Sequence, residues 1–146
     1  MRSIFVDACV LIAGAGSRGG ASRAVLMMAE IGLFRLVLSR QVLDECERNL
    51  SKKLPAALPI FAELLANIEP EIVPDPAAEE AARWENIVAP KDAPILAAAV
   101  LAAPDRFLTL DVQDFTAEVA AEAGLIIQTP AEFVQELRRL VERGLA

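Results

Sequence analysis

The residues able to do chemistry in this chain are carboxylates. Asp7 and Asp111 each close a short β-forming run, Ser3-Ile4-Phe5-Val6 and Arg106-Phe107-Leu108-Thr109-Leu110. Asp92 opens an Ala-rich helical stretch. Glu45 stands in the second turn of a helical stretch that follows Ser39, and Asp114 lies three residues beyond Asp111. Histidine is absent from the sequence, which excludes Ser-His-Asp and Cys-His catalysis, zinc fingers and imidazole metal sites. Carboxylates drawn together repel one another unless a cation joins them, and oxygen donors suit hard divalent ions such as Mg²⁺ and Mn²⁺. An ion so held turns water into a nucleophile and stabilises charge on a phosphoryl group in transit.

The elements that must position these acids alternate. Strands are expected at 3–6, 34–38, 71–73, 106–110 and 125–127. Helices are expected at 21–31, from Ser39 as N-cap through Leu50, at 55–68, 76–88, 92–103, 115–123, and from Thr129-Pro130 to about Arg143. This order predicts an α/β fold, a three-layer αβα sandwich around a roughly five-stranded parallel sheet. Sites in such sheets form beyond the carboxyl ends of the strands, so residues distant in sequence can meet at one edge. Residues 1–146 are expected to form one domain: the length suits a single core, and Pro74-Asp75-Pro76 is too short to divide two.

Each acid also has a purely structural role open to it. Asp7 and Asp111 suit strand-closing turns, Asp92 suits an N-cap, and Glu45 suits a solvated helix face. Asp114 is best read alone as the cap of the helix from Phe115. Cys9 and Cys46 adjoin proposed ligands, but a thiol nucleophile lacks its usual base here, and both are expected to pack as small apolar residues. Gly14-Ala15-Gly16-Ser17-Arg18-Gly19-Gly20 lacks the Gly-Lys-Ser/Thr ending of a phosphate loop; it reads as a flexible connection, with Arg18 on a rim facing substrate as the functional alternative. Phe61, Trp84 and Phe133 fall on apolar helical stripes and are expected in packing.

Four segments in order resemble the PIN-domain ribonucleases, the family that contains the VapC-type toxins of bacterial and archaeal toxin–antitoxin pairs. They are Ile4-Phe5-Val6-Asp7-Ala8-Cys9-Val10-Leu11-Ile12, Leu38-Ser39-Arg40-Gln41-Val42-Leu43-Asp44-Glu45-Cys46-Glu47-Arg48, Lys91-Asp92-Ala93-Pro94-Ile95-Leu96-Ala97-Ala98-Ala99 and Phe107-Leu108-Thr109-Leu110-Asp111-Val112-Gln113-Asp114-Phe115. The resemblance runs from Ser3 to about Thr129. It implies a PIN-like fold and catalytic, metal-binding acids at Asp7, Glu45, Asp92 and Asp111, with Asp114 auxiliary. It further implies Mg²⁺- or Mn²⁺-dependent hydrolysis of RNA phosphodiesters, and a cognate antitoxin as protein partner; a homodimer is compatible with it. Two positions depart from the family pattern: Cys9 stands where Asn or Ser is common, and Leu110 where Gly is common. They motivate the alternative of a PIN-like binding or scaffold module without catalysis.

The sequence holds 146 residues with a formal charge of −7, 55% hydrophobic and 24% charged, which is too apolar for a disordered acidic tail. Residues 1–53 carry eight basic side chains against five acids. The basic surplus therefore lies in the first third, where Arg18, Arg40, Arg48 and Lys52 are the candidates for holding RNA phosphates. No apolar run is long enough to span a bilayer, the N-terminus does not read as a signal peptide, and two cysteines do not make a disulfide framework. These features suit a cytoplasmic protein with no membrane association.

Overall fold

The computed structural model describes residues 2–145. Five parallel strands, β1 (Ser3–Val6), β2 (Arg35–Ser39), β3 (Glu71–Val73), β4 (Arg106–Leu108) and β5 (Ile127–Gln128), lie in the order β3-β2-β1-β4-β5. β1 is central because it is buried along its whole length, as a strand covered on both faces must be. Phe5 on β1 pairs with Phe107 on β4, and their rings stack at 5.5 Å. The expected parallel αβα architecture is the one observed.

Eight α-helices connect and flank the strands: α1 (Ala8–Gly16), α2 (Ala21–Glu30), α3 (Arg40–Lys53), α4 (Leu58–Ile68), α5 (Ala78–Ala82), α6 (Ala93–Ala102), α7 (Ala117–Ala123) and α8 (Pro130–Leu145). Ser39 caps α3 as expected, accepting a hydrogen bond from the Val42 N–H. α6 is apolar on most faces, with Ala93 and Ile95 to Ala99 all buried, and packs against β2, α3 and α5. Its small side chains let it sit inside the structure rather than on it.

Several expected boundaries are corrected. α1 occupies Ala8–Gly16, where the sequence suggested a turn and a glycine-rich connection; Gly14 and Gly16 belong to this helix. The stretch 76–88 is helical only over Ala78–Ala82 and then runs through turns. β4 stops at Leu108, so Thr109 and Leu110 stand between the strand and Asp111. The next helix begins at Ala117 with Thr116 as its cap, so Asp114 does not cap it. Phe61 and Phe133 are buried, and Trp84 packs partly buried against the core. Among the described residues no helix is long and apolar enough to cross a membrane.

Candidate functional site

The carboxyl ends of β1 and β4 adjoin, because these strands pair in parallel. Asp7 leaves β1 with its own N–H bonded to the Leu108 carbonyl at 3.0 Å. It is also the N-cap of α1, where Oδ1 accepts from the Ala8 N–H at 2.8 Å. Its other oxygen, Oδ2, accepts from the Thr109 hydroxyl at 2.9 Å. Thr109 is fully buried and accepts in turn from the Asp111 N–H at 3.0 Å. One hydroxyl thus ties Asp7 to the turn that carries Asp111. Asp111 continues the turn by accepting from the Asp114 N–H at 3.2 Å through Oδ1.

Asp92 enters from the opposite direction, at the N-terminus of α6. Its side chain makes no capping hydrogen bond, so the N-cap role open to it in the sequence is not the one it fills. It is 8% exposed, and Oδ2 is buried with no hydrogen-bond partner among the described residues. Asp92, Asp111 and Asp114 each present a carboxylate oxygen within 4.8 Å of the others. Glu45, on α3, is held from the side by the Gln41 amide, which donates to Glu45 Oε1 and to the Lys91 carbonyl, both at 3.1 Å.

These groups share one cleft of about 480 Å³. Asp7, Glu45, Asp92 and Asp111 line it, with Arg48, Asn49, Lys52, Lys53 and Lys91 around them and Ala8, Cys9 and Ile12 of α1 completing the wall. Glu45, Arg48, Asn49 and Lys52 are spaced by three, four and seven, which puts them on one face of α3. Val42, Cys46 and Leu50 occupy its buried face. Two of the four expected cationic contacts therefore stand in the cleft and two do not. Arg40 points away and pairs with Asp44 at 3.8 Å on exposed surface. Arg18 lies exposed in the connection between α1 and α2, outside the cleft lining.

The electrostatics follow from burial of like charges. Burial pushes the Asp92 carboxyl up to about 6; the Asp114 charge adds to the rise and Lys91 opposes it. Burial also raises Asp7, against the hydrogen bonds from Thr109, Ala8 and Cys9, and the Glu45 charge reinforces it. Such a cluster is unfavourable as it stands. The all-oxygen donors and the unpartnered Asp92 oxygen fit a divalent cation, which would offset the repulsion and complete the missing contact. Asp92, Asp111 and Asp114 are the residues whose oxygens lie close enough together to hold it, with Asp7 and Glu45 in the same cleft.

The two departures from the family pattern are accommodated. Leu110 is 45% exposed and absent from the cleft lining. Its backbone is not left-handed: among the described residues, the non-glycine residues with positive φ are Glu69 and Ala103. Its Cβ crowds nothing in the cleft. Cys9 is not a bystander: Sγ accepts from the Leu110 N–H at 3.3 Å and donates to Asp7 Oδ2 at 3.5 Å. Burial, then the Asp7 charge, raises its thiol to about 11, so it is protonated at neutral pH and serves as a weak donor. Cys46 is fully buried and its thiol is likewise pushed up by burial. Thr109, Gln41, Asn49 and Lys91 were not singled out by sequence reasoning; only the position of Thr109 two residues before Asp111 carried a signal.

Comparisons with known proteins bear on the fold and the family. No curated protein has a matching sequence. Three solved structures are similar in fold. The structure of VapBC2 from Rickettsia felis bound to a DNA fragment from their promoter has a TM-score of 0.65 at 16% identity, covering 87% of this chain and 98% of that one. PAE2754 from Pyrobaculum aerophilum gives 0.63 at 18% identity over 92% and 88%. FitAB bound to an IR36 DNA fragment gives 0.59 at 18% identity over 87% and 94%. The family model described as PIN domain matches residues 3–113, well over half of the 146 residues, and the chain therefore belongs to the PIN domain family.

Proposed function

We propose that this protein is a metal-dependent endoribonuclease using Mg²⁺ or Mn²⁺, and the toxin half of a toxin–antitoxin pair. The observation that carries this reading is one cleft in which Asp7, Glu45, Asp92 and Asp111 converge beside Arg48 and Lys52, with a buried Asp92 oxygen left unpartnered. When bound, the cation supplies an activated water and neutralises charge on the phosphate under attack. The chain's own residues do the rest. Thr109 fixes Asp7 and the Asp111 turn relative to one another, so the carboxylates are placed before substrate arrives. Gln41 orients Glu45, whose free oxygen is available to accept a proton from water in the cleft. Arg48 and Lys52, on the same face of α3, hold the RNA backbone on either side of the scissile phosphate.

The deciding experiment is cleavage of an RNA pool with Mn²⁺ or Mg²⁺, compared with EDTA and with single-stranded DNA. Cleavage by the wild type and its loss in Asp7→Asn and Asp111→Asn, with folding intact, is the expected result. Full activity in Asp7→Asn overturns the assignment. A binding module without catalysis is separated by calorimetry, since it has no need to bind Mn²⁺.

The toxin role is supported by the neighbouring VapBC2 and FitAB structures, and by the cluster of acids within the cleft, which suits an Arg or Lys from an antitoxin segment. Co-expression with the adjacent small reading frame should give a stable complex with suppressed cleavage. No complex, with cleavage unchanged, counts against that role.

A further inference from the structure

The cleft walls divide into three chemistries. The acids suit a cation and the basic side chains suit phosphates; neither reads a base. Asn49 is the remaining polar side chain in the lining: a neutral amide offering donor and acceptor together, half-buried, and without a hydrogen-bond partner among the described residues. The Gln41 amide, by contrast, spends both its N–H groups on Glu45 and Lys91. Asn49 stands one helical turn beyond Glu45 on α3, about 5–6 Å away between Cβ atoms. The same cleft is lined by Ala8, Cys9 and Ile12 of α1, with Ile12 partly exposed in its wall. An apolar flank and an unspent amide in one cleft, one turn from the acids, are what a nucleobase next to the scissile phosphate needs. Among the described residues no aromatic side chain lines the cleft, so stacking does not compete with this edge contact.

We infer that Asn49 is a specificity-determining residue that reads the base adjoining the cleavage point, with adenine favoured. This rests on the nuclease reading above. An amide presents one donor and one acceptor, the arrangement that pairs bidentately with adenine N6 and N7, an edge left open in an unpaired base. A carboxylate in its place only accepts, and so favours base edges that donate: the cytosine amino group, or the adjacent N1–H and N2 amino group of an unpaired guanine.

The test is sequencing of cut ends from a randomised single-stranded RNA, using wild type, Asn49→Ala and Asn49→Asp with Mn²⁺. The wild type should prefer adenine at one position beside the cut by at least about 5-fold. Asn49→Ala should flatten that position alone, and Asn49→Asp should move it away from adenine, towards cytosine or guanine. A mere packing role for Asn49 would change the overall rate and leave the base profile as it was. An unbiased wild-type profile, or the same profile in all three proteins, overturns the inference while leaving the nuclease reading intact. If the wild type cuts nothing, the nuclease reading fails, and the inference is judged on binding. Oligoadenylate should then bind the wild type more tightly than oligocytidylate, with the difference lost in Asn49→Ala. Equal binding in the two proteins, or none, overturns it.

Discussion

Asp92→Asn should stabilise the metal-free protein. The Asp92 carboxyl titrates at about 6 against an ordinary 3.8, so its ionised form at pH 8 opposes folding by up to about 3 kcal/mol. The residue is 8% exposed but stands at the wall of an open cleft, and solvent screening brings the figure down to about 1–2 kcal/mol. Asparagine keeps the shape, removes the charge, and offers an N–H to the neighbouring Asp114 carboxylate. For a chain of this size the gain corresponds to a Tm higher by about 3–6 °C. The sign follows from the raised pKa. The neutral acid is the form that folding favours, so this contribution is present below the ordinary value and is lost as pH rises through about 6. The gap between variant and wild type should therefore be widest at pH 8 and narrow towards pH 5. Scanning calorimetry in EDTA at both pH values measures it, and saturating Mn²⁺ should reverse the order by stabilising only the wild type. A variant no more stable than wild type in EDTA at pH 8, or a gap unmoved by pH, refutes the reasoning.

Three further outcomes are expected. Thr109→Val leaves Asp7 Oδ2 and the Asp111 N–H each without the hydroxyl they share; it should cost about 1–3 kcal/mol in chemical denaturation and weaken Mn²⁺ binding in calorimetry, with Thr109→Ser restoring both. Glu136 accepts from Arg106 and Gln128, Arg106 first, and is held below its ordinary 4.5; stability from this pair should be full above that value and lost as pH falls through the lowered pKa, so that wild type and Glu136→Gln converge in acid while differing by about 1 kcal/mol at pH 7. Changing Arg48 and Lys52 together to Ala should flatten the salt dependence of RNA binding by about 1.4 in log–log slope, measured in the Asp7→Asn background, whereas Arg40→Ala, already paired with Asp44 outside the cleft, should leave the slope unchanged.

The strands were legible because parallel strands buried on both faces read as continuous apolar runs, and β1 and β2 are of that kind. Helix α1 was not legible for the same physical reason acting in reverse. Ala8–Gly16 has no polar face to set a period of 3.6 residues, and its glycines read as a breaker. Gly14 is there because α2 comes close: a Cβ on it would meet Leu26 Cδ1 at 2.5 Å. The acids could be picked out by type and place, since oxygen-only chemistry left few other residues. What joins them could not. Thr109 looks like any β-branched residue in a strand until the register of β1 against β4 sets it beside Asp7. The division of α3 into a cleft face and a solvent face, which separates Arg48 and Lys52 from Arg40, depends on where Cys46 and Leu50 bury.

The sheet order has a temporal consequence. β1 is made first, yet its central place requires β4 on one side, and the Thr109 hydroxyl that fixes Asp7 is 102 residues downstream. While residues 46–91 are being added, the nascent chain therefore carries Asp7 and Glu45 with no Asp92 or Asp111 to complete the cluster. Pairing across so long a separation is slow to form even after release. The acid centre comes into being only after β4 and the Asp111–Asp114 turn have been made, and a product truncated before β4 carries Asp7, Glu45 and Asp92, three of the five acids, with no Thr109 to fix Asp7.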